Sequence, residues 1–210
     1  MVLPMTSVKL KVCGITNYAD AVAAIEAGAE FLGFNFYPPS PRFIAPGAAR
    51  EIIAQLPSDI ISMGVFVNEA RPEDVLQKLA ISGAEVAQLH GEEDEQYCRL
   101  VGASRVIKAL RIGHTFAPEI LTGFPAAAFL IDAYDEKLYG GTGKTSNWEV
   151  AAAIAQTVNV FLAGGLSPDN IGEAVQAVQP YAVDVNSGVE LYPGKKDKEK
   201  LQALRFALNR

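Results

Sequence analysis

The segment Lys11-Val12-Cys13-Gly14 places a thiol at the end of a predicted strand. Leu10 and Val12 alternate with Lys11, as residues on the two faces of a strand do. Cys13 continues the lysine face, and Gly14 ends the strand. A thiolate is a base and a nucleophile, and in an α/β barrel the chemistry lies at the edge where strands lead into helices. Cys13 is therefore a candidate catalytic residue, although a lone Cys at such a position is most often a small buried hydrophobe.

Other polar side chains belong to strand-like segments. Asp132 ends one of them, where an Asp is often only a turn or helix-capping residue. Lys11, Gln88, Lys108 and Asp184 alternate with apolar residues that suit a face covered by helices. We therefore expect these four side chains to point into a barrel interior. Because an isolated buried ion is costly, the sequence predicts a Lys/Asp network there.

Glycine-containing segments follow the seventh and eighth predicted strands, and we expect them to bind phosphate. Gly165 lies in the first segment, and Ser187 and Gly188 lie in the second. Loops at these positions of an α/β barrel commonly direct backbone N–H groups at an anion. Ser167 and Pro168 predict a helix start, with Ser as N-cap and Pro at the first helical position. The alternative is that the glycines only turn the chain.

Strand-like and helical patterns alternate strictly along the chain. The predicted strands are 8–12, 31–35, 60–67, 85–89, 105–110, 128–132, 159–163 and 181–185. The predicted helices are 19–27, 47–56, 72–81, 93–101, 116–121, 148–156, 168–178 and 198–209. Such alternation predicts a parallel sheet with right-handed crossovers. Eight units predict an α/β fold of one domain, a (β/α)8 barrel over 1–210 with 1–7 as a short N-terminal extension. An open doubly wound sheet is the alternative.

Composition excludes several classes of function. The net charge of −6 and the pI near 5.0 argue against nucleic acid or an anionic membrane as a partner. No apolar run reaches the ~20 residues of a membrane span, and the first seven residues lack the regions of a signal peptide. Cys13 and Cys98 form no disulfide framework, so we expect a cytoplasmic protein in which Cys98 is structural. No residue cluster has metal-ligand spacing, so no metal is expected.

Seven segments, in this order, resemble one enzyme family. They are Lys-Val-Cys-Gly-Ile-Thr at 11–16, Gly-Phe-Asn-Phe at 33–36 with Ser-Pro-Arg at 40–42, Gly-Val-Phe-Val-Asn at 64–68, Gln-Leu-His-Gly at 88–91, Gly-Gly-Thr-Gly-Lys-Thr at 140–145, Leu-Ala-Gly-Gly-Leu at 162–166, and Asp-Val-Asn-Ser-Gly-Val-Glu at 184–190 with Pro-Gly-Lys-Lys-Asp at 193–197. Together they closely resemble phosphoribosylanthranilate isomerase of tryptophan biosynthesis. The resemblance implies a (β/α)8 barrel without a cofactor. It also implies an Amadori rearrangement of N-(5-phosphoribosyl)anthranilate to 1-(2-carboxyphenylamino)-1-deoxyribulose 5-phosphate.

The resemblance assigns the chemical roles. Cys13 is the base that removes a proton from the sugar, and Asp132 is the acid that protonates the ring oxygen. Arg42 binds the anthranilate carboxylate, for which a guanidinium fork is suited. A thiol of pKa ~8.5 needs a shift of ~1.5 units to be half ionised at pH 7. Lys11, two residues back on the same face, is the candidate source of that stabilisation.

The predicted substrate contacts complete the site. They are Arg42, Lys11, Gln88, His90, Gly141, Gly165, Asp184, Ser187 and Gly188. His90 has two interpretations, a substrate contact or a buried hydrogen-bonding residue, whereas His114 is expected on a surface loop. Gly141 belongs to a glycine-rich segment, 140–144, that we expect to close over substrate near Asp132. The sequence departs from the family pattern at Asn186, usually Ser, and at 146–147, often Phe-Asp.

Three other functions compete with this interpretation. A sister barrel of histidine biosynthesis isomerises a phosphoribosyl-formimino carboxamide, but that family uses two Asp residues and duplicated halves. The second is a phosphosugar-binding barrel without catalysis. The presence together of Cys13, Asp132 and Arg42 argues against it. Indole-glycerol-phosphate synthase is the third, and its longer N-terminal segment has no counterpart here. The sequence leaves a homo-oligomer open.

Overall fold

Eight parallel strands close into a barrel in the computed structural model, which describes residues 8–111, 121–132 and 144–208. The strands are β1 Lys9–Val12, β2 Ala29–Asn35, β3 Ile61–Phe66, β4 Val86–Leu89, β5 Val106–Arg111, β6 Ala128–Asp132, β7 Val160–Ala163 and β8 Ala182–Val185. Each pairs with the next along the chain, and β8 closes the barrel on β1, where Lys11 lies opposite Asp184. The predicted closed barrel is confirmed, and the open sheet is wrong.

Helices follow the strands as the sequence predicts, with changes at their ends. They are α1 Tyr18–Glu26, α2 Pro46–Ile53, α3 Pro72–Ser82, α4 Glu95–Val101, α5 Lys144–Ala155, α6 Ile171–Val178 and α7 Lys198–Leu208. Asn17 caps α1, and its side-chain oxygen accepts a hydrogen bond from the backbone N–H of Asp20 over 3.0 Å. Apart from Leu121, the predicted helix 116–121 lies outside the described residues. None of the helices in the described ranges combines the length and apolar composition that crossing a bilayer requires.

The predicted start of α6 is wrong. Instead of beginning a helix, Ser167 begins a turn in which its carbonyl accepts from the backbone N–H groups of Asn170 and Ile171. The Asn170 side chain folds back, accepting from the Ser167 N–H (2.9 Å) and donating to the Gly165 carbonyl (3.0 Å). A short-range side-chain to backbone network therefore replaces the first helical turn, and it ties the helix entry to the loop after β7.

A two-stranded antiparallel hairpin, β9 Glu190–Tyr192 and β10 Lys195–Lys196, follows the barrel and was not predicted. Gly194 turns between its strands with φ +85°, a conformation that favours glycine. The Thr16 hydroxyl donates to the Gly194 carbonyl over 2.6 Å. The hairpin is thereby fastened to the loop after β1, which carries Cys13.

Two apolar layers hold the barrel together. One lies between the strands and the helices, and the other fills the barrel interior with side chains such as Phe31, Met63 and Phe161. The rings of Phe31 and Phe161 meet edge to face with centroids 5.2 Å apart, a favourable aromatic geometry. The polar residues of the site lie at the carboxyl ends of the strands, beyond this apolar plug.

One predicted interior residue, Lys108, points the other way. Its strand neighbours Ile107 and Ala109 belong to the interior cluster, whereas Val106 and Leu110 contact the helix-covered layer. Because side chains alternate along a strand, Lys108 shares the outward face. The expectation for Lys11 and Asp184 is confirmed, since both are buried and paired inside the barrel.

Candidate active site

A cleft of about 400 Å³ opens at the carboxyl ends of the strands. Cys13, directly after β1, and Asp132, the last residue of β6, both line it. Gln88, His90 and Asp184 line the same cleft from β4 and β8. Parallel strands end at one edge, so residues far apart in sequence converge on one space there.

Cys13 is buried against β2 because a glycine faces it. A Cβ added to Gly33 would lie 2.8 Å from the Cys13 Sγ and 3.2 Å from the Lys11 Nζ, so only glycine leaves room for both groups. Burial raises the pKa of the Cys13 thiol, and this effect exceeds the lowering caused by the Lys11 charge. Lys11 therefore favours the thiolate as predicted, but it does not bring the thiol below its ordinary pKa.

Lys11 and Asp184 form the predicted buried ion pair. The Lys11 Nζ, with no exposed surface, donates to Asp184 Oδ2 over 2.7 Å. Within the described residues, the second carboxylate oxygen, Oδ1, is buried and has no hydrogen-bond partner, and the same holds for Oε1 of Gln88. Buried acceptors without partners are costly in a folded protein. Both residues line the cleft, so a ligand with hydroxyl or N–H groups would satisfy them.

His90 contacts Gln88 and also faces the cleft. Its Nδ1 lies 3.2 Å from the Gln88 Nε2, so the amide donates and the ring nitrogen accepts. Burial lowers the pKa of His90, and the neutral ring that results suits this acceptor role. Both predicted uses of His90 are thus compatible with its position.

Arg42 lies beside Gly14, the residue that follows Cys13, and close to Asn186, which lines the cleft. A Cβ at Gly14, where φ is +75°, would come 2.8 Å from the Arg42 Cδ and 2.8 Å from the Asn186 Oδ1. The Arg42 backbone N–H donates to the Ser40 hydroxyl, which accepts in turn from the Asn35 side chain at the end of β2. These hydrogen bonds fix the loop after β2 so that the aliphatic part of the Arg42 side chain packs against Gly14.

The loops after β7 and β8 approach each other closely. Gly165 adopts φ +63°, and Gly165 and Ser187 both line the cleft. Gly188 lies behind them, and a Cβ there would overlap the carbonyl oxygen of Leu166. The glycines therefore permit a backbone cradle of the kind that binds an anion, on the same cleft as Cys13.

The sequence model of one family, described as N-(5'phosphoribosyl)anthranilate (PRA) isomerase, matches residues 10–205. The chain belongs to this family. It is 46% identical over 202 residues to the N-(5'-phosphoribosyl)anthranilate isomerase of Syntrophus aciditrophicus, an alignment that covers 96% of this chain and 87% of the relative.

Two solved structures of phosphoribosylanthranilate isomerases share the fold. One, in complex with reduced 1-(o-carboxyphenylamino)-1-deoxyribulose 5-phosphate, has a TM-score of 0.83 and 37% identity. The other, of monomers generated from the dimeric enzyme of Thermotoga maritima, has a TM-score of 0.82 and 36% identity. Each comparison covers 96% of this chain and 98% of the other.

The sequence analysis did not identify two charged residues that lie beside Arg42. Glu190 accepts from the Arg42 guanidinium through both carboxylate oxygens, and Lys196 donates to Glu190 over 2.9 Å. Both residues lie in segments that carry the family resemblance, and that resemblance is the sequence signal that could have pointed to them. Neither lies on a predicted strand or helix of the barrel, so periodicity gave no reason to place them near Cys13.

Lys108, which was predicted to point into the barrel, instead pairs with Glu93 on the outer face of β5. Its Nζ donates to Glu93 Oε2 over 2.9 Å and to the Gly91 carbonyl over 2.5 Å. Glu93 also accepts from the backbone N–H of Asn68 over 2.9 Å, so it holds a loop instead of starting α4 as predicted. This buried pair organises the loop after β4, next to His90.

Other predictions have simpler outcomes. Gly141, the segment 140–143 and His114 lie outside the described residues. Among the side chains that the structure describes, no three His, Cys, Asp or Glu residues are grouped as metal ligands. Cys98, which the sequence predicts to be structural, is fully buried in the outer layer, and burial raises the pKa of its thiol to about 11.

Proposed function

We propose that this chain isomerises N-(5'-phosphoribosyl)anthranilate to 1-(2-carboxyphenylamino)-1-deoxyribulose 5-phosphate in tryptophan biosynthesis. The observation that carries the proposal is one cleft lined by Cys13, Asp132 and the two glycine loops after β7 and β8. A base, an acid and an anion cradle are the three elements that this reaction of a phosphosugar requires. Relatives at 36–46% identity bear the name of this activity.

Asp132 starts the reaction in this proposal. Its carboxyl proton passes to the oxygen of the furanose ring as the bond from that oxygen to C1' breaks. The lone pair of the anthranilate nitrogen forms a double bond to C1', so the open chain is an iminium ion. An acid placed at the leaving oxygen is effective because it neutralises the charge that would otherwise develop there.

Cys13 carries out the second step. The iminium makes the C2' proton acidic, and the Cys13 thiolate removes it. The electrons of the C2'–H bond form the C1'=C2' double bond, and those of the C=N bond return to nitrogen. The resulting enol becomes the ketone when a proton leaves O2' and another is added to C1'. Reactant and product are isomers, so no redox cofactor is consumed.

Binding holds the sugar between the two groups. Backbone N–H groups of Gly165, Ser187 and Gly188 are proposed to hold the phosphate, since a glycine cradle suits an anion. Asp184 and Gln88, each with a buried acceptor that lacks a partner in the described residues, are proposed to face the sugar.

The remaining contacts lie around this core. Arg42 is proposed to meet the anthranilate carboxylate. Lys11 is proposed to contact the sugar from the barrel interior, since it donates to Asp184 and lies beside Cys13. His90 and Gly141 complete the predicted contacts.

A turnover assay tests this function directly. The fluorescence of phosphoribosylanthranilate should decay with the wild-type protein, and Cys13→Ala and Asp132→Asn should each slow the decay by at least about 10²-fold. Cys98→Ala is the matched control, because it removes the other buried thiol and should leave turnover unchanged. Near-native turnover in both site variants would overturn the roles. Tight binding of a product analogue without any wild-type turnover would favour a binding protein instead.

Two further properties belong to the same proposal. A cytoplasmic location suits a reaction that needs a reduced Cys13, and both cysteines are free in the structure. A homo-oligomer is proposed from the relative of Thermotoga maritima that is described as dimeric. Light scattering in solution would measure the mass that decides this point.

A further inference from the structure

Glu190 is a carboxylate buried between two cations. Its side chain is 4% exposed. Arg42 donates to it from Nε (3.0 and 3.1 Å) and from Nη2 (2.6 Å), and Lys196 donates from Nζ (2.9 Å). Burial would raise the pKa of Glu190, but the hydrogen bonds from Arg42 and Lys196 outweigh it and hold this pKa below its usual value. Glu190 is therefore an anion with a fixed geometry.

The pairing orients the Arg42 side chain along its whole length. The stem crosses Gly14, the next residue after Cys13, and the guanidinium is held through two of its three nitrogens. A planar fork bound in this way has one orientation, unlike a free arginine with many rotamers. The third nitrogen, Nη1, takes no part in the pairing with Glu190, and its direction is set by the planar fork.

Lys196 secures the same carboxylate from the other side. It has no exposed surface, and it also donates to the side chain and the carbonyl of Asn186 over 3.1 and 3.3 Å. Asn186 lines the cleft directly before the phosphate loop residue Ser187. One short segment, 186–190, thus carries both the second phosphate loop and the anchor of Arg42.

We propose that Glu190 is a positioning residue that fixes Arg42 at a set place relative to the phosphate cradle. A ligand with a phosphate at one end and a carboxylate at the other is then held at both ends, with its reactive carbons between Cys13 and Asp132. This inference rests on the proposed function for the identity of the ligand. It assigns Glu190 no contact with the substrate.

The test compares two ligands that differ only in the carboxylate. Calorimetry measures the dissociation constants of reduced 1-(2-carboxyphenylamino)-1-deoxyribulose 5-phosphate and of the phenylamino analogue without the carboxyl group. Glu190→Gln should weaken binding of the first about tenfold, the usual effect of losing a charge-assisted hydrogen bond, and leave the second unchanged. Arg42→Met should do the same, and the double variant should be no weaker than Arg42→Met alone.

Three results would overturn the proposal. Equal weakening of both ligands would indicate a structural role, unchanged binding would indicate no role, and tighter binding of the carboxylated ligand would indicate that Glu190 competes for Arg42. Glu95→Gln, which breaks the exposed pair with Arg99, is the matched control. If Glu190→Gln alone does not fold because Lys196 loses its counterion, the variant Glu190→Gln/Lys196→Met is tested against Lys196→Met.

The proposed function can fail separately. It fails if the wild-type protein does not turn over phosphoribosylanthranilate, whereas the Glu190 inference is decided by binding alone. In an active enzyme, Glu190→Gln should raise KM about tenfold and change kcat less, since Arg42 acts in binding.

Discussion

At the scale of single residues, the state of Cys13 is set by two opposing effects. Burial disfavours the thiolate, and the Lys11 charge favours it. The net result is a thiol whose pKa is raised above its ordinary value, so the free protein holds Cys13 mainly as the neutral thiol at pH 7. Lys11 and Lys196 reduce the cost of ionising this thiol, which is the step that the proposed reaction requires.

This balance predicts a pH dependence. Since the thiol pKa is raised, kcat/KM should still increase with pH between 7 and 9, because it reports ionisation of the free enzyme. Lys11→Met should move the rising part of the profile to higher pH, since it removes the charge that stabilises the thiolate. The rate of Cys13 alkylation by iodoacetamide, measured against pH, checks both statements.

Lys9→Met is the control for this experiment. Lys9 is on the same strand face but is partly exposed and paired with Glu30, so its loss should leave the profile in place. An unchanged thiol pKa in Lys11→Met would show that Lys11 only neutralises Asp184.

At the scale of elements, the loops after β7 and β8 depend on each other. The Leu166 carbonyl approaches Gly188 so closely that no side chain fits between them, and the Asn170 side chain ties the entry of α6 to Gly165. The shape of the proposed phosphate cradle is therefore a property of two loops and one helix entry together.

Gly188→Ala tests this coupling. The added methyl group must push the loops apart, so binding of phosphate-bearing ligands should weaken about tenfold or more, as expected when donors in a cradle are misplaced. Inhibition by inorganic phosphate measures the effect. Gly47→Ala is the matched control, because a Cβ there contacts nothing within 4 Å. Equal phosphate inhibition in both variants would contradict the cradle.

At the scale of the whole molecule, the barrel carries buried ion pairs on both faces of its wall. Lys11 and Asp184 pair inside it, and Lys108 and Glu93 pair outside it, with side-chain exposures of 6% and 2% for the second pair. A buried ion pair adds little stability when compared with apolar residues of similar size. Removing one partner, however, leaves the other charge buried without a counterion.

Lys108→Met should therefore lower the free energy of unfolding by about 3–5 kcal/mol, because Glu93 is left buried without its cation. Urea denaturation measures the loss. Adding Glu93→Gln to this variant should restore part of the stability. Arg99→Met, which breaks an exposed pair, should cost at most about 1 kcal/mol. A loss that small in Lys108→Met would show that water reaches Glu93.

The sequence by itself determined the order of strands and helices and the family. It also placed Cys13 and Asp132 at one edge, because strict βα alternation fixes where parallel strands end. The inward faces of Lys11 and Asp184 could be predicted because their strands have one clearly apolar face. These are local patterns, and each is carried by residues close together in the chain.

Only the tertiary structure decided the direction of Lys108, since Val106 and Ile107 make both faces of its strand apolar. Only the tertiary structure brought Glu190 to Arg42, which lies 148 positions away along the chain. The start of α6 has a different cause, because short-range hydrogen bonds of the Asn170 side chain replace the first helical turn. The physical reason is that burial and ion pairing depend on what the closed barrel brings together, and a local pattern of hydrophobicity carries no information about partners so distant in sequence.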